Sequence, residues 1–128
     1  MLNELFASVL ISEEVRSEVG FSIHGVQVVA VRRRDLITQW LPTADLGEVS
    51  TIVLGLETPA CTILMDDKRG RRLGRMLNSR MVGTLGLLLI AKNRGLLKAV
   101  RPVVESMIQN GCYLSEQVMS DAFREAGE

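Results

Sequence analysis

Two adjacent aspartates, Asp66 and Asp67, close the apolar run 61–65, and five basic residues follow within eight positions: Lys68, Arg69, Arg71, Arg72 and Arg75. Carboxylates grouped away from any His or Cys favour hard cations such as Mg²⁺ or Mn²⁺. Such an ion activates water and offsets charge on a phosphate. A run of Lys and Arg supplies affinity for a phosphodiester backbone. Acids for a metal beside cations for a polyanion suit a nuclease. A plainer reading uses the same residues, with Asp67 as a helix cap and the arginines as a solvated helix face.

Those residues must be positioned by an α/β frame, because apolar periods of two and of 3.6 alternate along the chain. Short strands are expected near 7–11, 26–31, 61–66 and 80–83. Helices are expected over 2–6, from the Ser12 cap onward, and over 48–56, 68–77, 84–94, 101–109 and 115–125. Arg32, Arg33 and Arg34 end the second strand, and Pro42, Thr43 and Gly47 mark a loop. In a parallel sheet, ligands sit beyond the carboxyl ends of strands. Asp66 and Asp67 lie at one such end and Gly83-Thr84 at the next. Glu48, at a helix start, can face the same rim. Thr84 is either an N-cap or a hydroxyl that positions water or phosphate. Arg71 and Arg75 share a helix face, as do Arg72 and Arg75, so these three are the candidate substrate contacts.

The totals bound what surrounds such a site. With 128 residues, 47% hydrophobic and 23% charged, the chain reads as one domain over 1–128 with a core of its own. Formal charge is zero, yet residues 62–101 hold ten Lys/Arg against two aspartates, a basic middle suited to an anionic partner. Two separated cysteines and the single His24 exclude a zinc site and suit a reducing, cytoplasmic setting. No signal peptide is visible, and no apolar run is long enough for a membrane span. A phosphoacceptor receiver domain also places paired acids after a strand, as in ILMDDK. It needs a later strand-end aspartate, and the next acid here is Glu105, within an expected helix.

The run LGEVSTIVLGLETPACTILMDDKRGRRLGRMLNSRMVGTLGLLLIAKNRGLLKAVRPVVESMIQNGCYLSEQV resembles the PIN-domain-like family of prokaryotic predicted nucleic-acid-binding proteins. Its most specific part is VGTLGLLLIAKNRGLL, and the opening LNELFASVLISEEVRSEV extends the similarity through the chain. The resemblance implies a three-layer α/β fold with a parallel sheet. It also implies a metal site at Glu48, Asp66 and Asp67, with Thr84 nearby, served by Mg²⁺ or Mn²⁺. The implied activity is that of a ribonuclease, the toxin of a toxin–antitoxin pair, acting on RNA and held by an antitoxin protein. The alternative is an inactive PIN-like module that binds RNA or protein without cleaving. Family members open with a central strand carrying a further aspartate, upstream of where this chain begins. The resemblance therefore implies a truncated, misassigned or degenerate start. Without that strand its neighbours lack a partner, which favours a homodimer or higher oligomer.

Overall fold

A computed structural model describes residues 2–128, which divide into two compact units, Leu2–Val82 and Gly83–Glu128. The first unit is α/β. Its elements run α1 (Leu2–Leu5), β1 (Leu10–Ser12), α2 (Glu13–Val19), β2 (Gln27–Val29), α3 (Arg34–Trp40), α4 (Leu46–Glu57), β3 (Ile63–Leu64), α5 (Lys68–Met76) and β4 (Met81–Val82). β1 pairs with β2 and β3 with β4, both in parallel, as two two-stranded sheets. The strands are shorter than expected, but ladder bonds reach beyond them. Gln27 donates to the Val9 carbonyl and Met65 to that of Val82, each at 2.9 Å.

The centre of this unit is α4. Val49, Ile52 and Val53 are fully buried, and Leu54, Ser50 and Gly47 are buried beside them. Burying an aliphatic side chain contributes about 1.5–3 kcal/mol, so this helix anchors the unit. It packs on α2, α3 and α5, and on β1 and β3. Ile63, Met65, Leu73, Ile37 and Val31 complete the same core. The basic helix α5 approaches closely through two glycines one turn apart. A side chain at Gly70 would strike the Met65 thioether and one at Gly74 that of Met81.

Helix α3 was not expected from the sequence, where 34–40 carries no capping signal. No side chain caps it, and the turn that leads into it is held from far along the chain: the Glu57 carboxylate accepts from the N–H groups of Arg32, at 3.0 Å, and Arg33, at 2.6 Å. The three arginines are thus not a plain strand-end cluster. Arg33 pairs with Asp35 and Arg34 with Glu14. α4 also begins earlier than 48, with Gly47 inside it instead of in a loop.

The second unit is helical: α6 (Thr84–Asn93), α7 (Arg101–Gln109) and α8 (Glu116–Ala126). Leu88, Val100 and Val104 form its core, covered by Leu85, Leu97, Met119 and Phe123. The Glu128 carboxylate accepts from the N–H of Val100 at 2.7 Å, that of Arg101 at 3.0 Å and Lys92 Nζ at 2.9 Å. These donors, the two backbone N–H groups above all, pull its carboxyl down to about 2. No helix among the described residues is long and apolar enough to cross a membrane.

Two tests follow from these contacts. Ser12 Oγ caps α2 at Val15 N–H and meets Ser50 Oγ at 2.8 Å, with both serines fully buried. Ser12→Ala should therefore cost about 1–3 kcal/mol, from the lost cap and the buried hydrogen bond. Ser50→Ala should cost less, and urea unfolding would show the order reversed if the cap were unimportant. A lowered carboxyl pKa stabilises above the ordinary glutamate range and loses that effect as pH falls toward about 2. Glu128→Gln should accordingly lower the thermal midpoint at pH 7, with the gap to wild type closing on acidification.

Candidate acidic site at the heads of two helices

The acids converge where α4 and α5 begin. Asp45 precedes α4 as its N-cap, and Glu48 Oε2 reaches back to accept from Asp45 N–H at 3.2 Å, the return half of a capping box. Asp67 caps α5, its Oδ1 accepting from Arg69 N–H at 2.8 Å. The Arg69 guanidinium then crosses between the helices, with Nη2 3.0 Å from Asp45 Oδ1. Both helix starts carry partial positive charge, which favours acids there.

Glu48 carries the cost of its half-buried place. Its pKa is raised, first by burial and then by the like charges of Asp67 and Asp45, against the opposing Asp45 N–H and Arg69. A cleft of about 270 Å³ opens beside it, lined by Asp45, Gly47, Glu48 and Thr51 from the α4 side. Val15 and Glu18 of α2, with Leu64 and Met65, form its other walls.

Glu18 was not anticipated. It reaches the cleft because position 47 has no side chain: a β-carbon there would lie 2.7 Å from Glu18 Oε1. The available signal was Gly47 in an otherwise strong helical pattern, which marks a close approach. Asp45 was also passed over, although Asp-x-x-Glu is a capping-box spacing.

The other expected residues fall as follows. Asp66 is exposed, between the buried Met65 and the Asp67 cap. Arg71 Nη1 donates to the Met65 carbonyl at 2.7 Å, so it braces the end of β3. Arg72 and Arg75 are exposed on α5. Thr84 is the first residue of α6 in the second unit, and Gly83 occupies the N-cap position there.

Oxygen-only donors suit a hard divalent cation in kind. Among the described residues, no three His, Cys, Asp or Glu side chains form a metal-holding group by themselves. Of the divalent ions, Mg²⁺ is the kind commonly held by one or two carboxylates together with water and substrate phosphate, which is what Glu48 and Asp67 at neighbouring helix heads could offer.

Comparison with known proteins gives one match. A family model for the PIN domain matches residues 1–128. No curated protein and no solved structure matches the chain.

The electrostatics are directly measurable. By NMR titration the Glu48 carboxyl should ionise above the usual glutamate range, and Asp67→Asn, which keeps a capping side chain, should lower it. A raised carboxyl pKa means that ionised Glu48 opposes folding at neutral pH, a cost relieved as pH falls through its folded pKa. An unchanged Glu48 titration in Asp67→Asn would show that the two acids do not share a site.

Proposed function

The chain belongs to the PIN-domain family, and from that membership we propose that it is a metal-dependent endoribonuclease worked from the heads of α4 and α5. The observation that carries this reading is the placement of Glu48, half-buried in a cleft beside Asp45, with Asp67 at the neighbouring helix head joined to Asp45 through Arg69. Repulsion among fixed carboxylates is relieved by a divalent cation, so the arrangement stores affinity for one. Glu48 and Asp67 are the assigned ligands, with Asp66 beside them. Bound Mg²⁺ or Mn²⁺ would supply Lewis acidity toward water and the scissile phosphate.

The rest falls to the chain's own groups. The Asp45 N–H holds the Glu48 carboxylate in place, and the α5 cap holds Asp67. Arg72 and Arg75, exposed on α5, meet the RNA backbone, and Arg71 supports them from the end of β3. A toxin role, with an antitoxin protein as partner, a cytoplasmic setting and self-association belongs to the same reading and rests on the family resemblance.

One observation favours a second reading. With no three metal-holding side chains together among the described residues, the chain would serve as a PIN-like module that binds RNA without cutting it.

A cleavage assay separates the two. On single-stranded RNA with Mn²⁺ or Mg²⁺, Glu48→Gln and Asp67→Asn should each reduce turnover by about a hundredfold or more, comparable to removing one strong transition-state contact, while leaving RNA binding intact. Arg72→Gln and Arg75→Gln should weaken binding and each reduce its salt slope by about one. RNA binding without metal-dependent cleavage would establish the second reading instead.

A further inference from the structure

Arg69 joins the two helix heads, and the proposed chemistry leaves it without a task. Its backbone is held by Asp67 Oδ1 and its guanidinium by Asp45 Oδ1, 24 residues away in sequence. Asp45 is in turn bonded through its N–H to Glu48. A positive charge supplied by the chain, paired with Asp45, therefore already sits beside the carboxylates assigned to the metal.

That charge is not locked in. The Arg69 side chain is 60% exposed and that of Asp45 67%. Exposed pairs of this kind contribute little and are screened by salt. As a cation, an arginine side chain so placed opposes an arriving divalent ion.

We propose that Arg69 is a built-in counter-cation of the acidic mouth, competing with a divalent metal for the field of Asp45, Glu48 and Asp67. The inference rests on the reading of that mouth as a cation site. Through solvent, a unit charge several ångströms from a divalent ion changes its affinity by about three- to tenfold. The basic helix would thus weaken metal binding at one residue while serving substrate at others.

The test is Mn²⁺ titration at low salt, reading free ion by electron paramagnetic resonance, on the whole chain. Wild type, Arg69→Gln, Arg69→Lys, Glu48→Gln and Arg69→Gln/Glu48→Gln are compared. Arg69→Gln should bind Mn²⁺ about three- to tenfold more tightly, and Arg69→Lys, which keeps the charge, should stay near wild type. The gain should shrink with added salt and vanish in the Glu48→Gln background. If wild type binds through Glu48 but Arg69→Gln binds no better, or Arg69→Lys gains equally, the counter-cation role is overturned and the metal site stands. If no variant binds Mn²⁺ in a Glu48-dependent way, both the site and the inference fall.

Discussion

The burial of α4 is the constraint on which the first unit depends. Its inner residues leave no solvent-facing freedom: Val49 and Ile52 are wholly enclosed, and neighbours press from helices and strands together. A helix so fixed cannot rotate to ease strain at its ends. Its first turn must therefore present Glu48 where the core puts it, half-buried and close to the acid that begins α5. Packing energy, gained at aliphatic contacts, is what holds like charges near one another.

Glu48 and Asp67 are bound into the helix heads as capping groups. Asp67 satisfies an otherwise orphaned N–H of α5, and Glu48 does the same for Asp45. Each bond ties one carboxylate oxygen to a helix head, and such fixed orientation is what the proposed chemistry would call on. They also explain why a structural and a chemical reading of Asp66-Asp67 were both available from the sequence. The residues that cap are the residues that crowd, and capping does not consume both oxygens of a carboxylate.

Much of the frame was legible in the chain itself. Ser12 and Ser115 cap helices where their spacing to apolar runs placed them, and α7 spans the expected residues. Local chemistry was enough for those. α3 escaped because it has no side-chain cap, and the carboxylate that fixes the turn before it, Glu57, lies more than twenty residues downstream, so no window of local sequence contains both partners. Glu18 escaped for a related reason. Its place is defined by an absent side chain at Gly47 on another helix, a tertiary fact that leaves only a lone glycine as its trace. Glu48 and Asp67 stand at the helix starts where the sequence put them, since acids in such positions announce themselves locally; the ion pair from Arg69 to Asp45 was not legible, being a matter of which rotamer bridges two helices.

The seat of α5 has a chemical consequence of its own. Gly70 and Gly74 lay the helix backbone against two thioethers, Met65 and Met81, with no room for even a methyl group between them. Thioether sulfur is soft and conformable, which suits it to such a bearing surface. It is also the atom that peroxide attacks, and conversion to a sulfoxide adds a polar oxygen. Met65 is nearly enclosed in the core, so an oxygen added there has no water to face. The cationic helix therefore rests on a cushion that oxidative damage would swell, lifting its arginines away from the carboxylates they accompany.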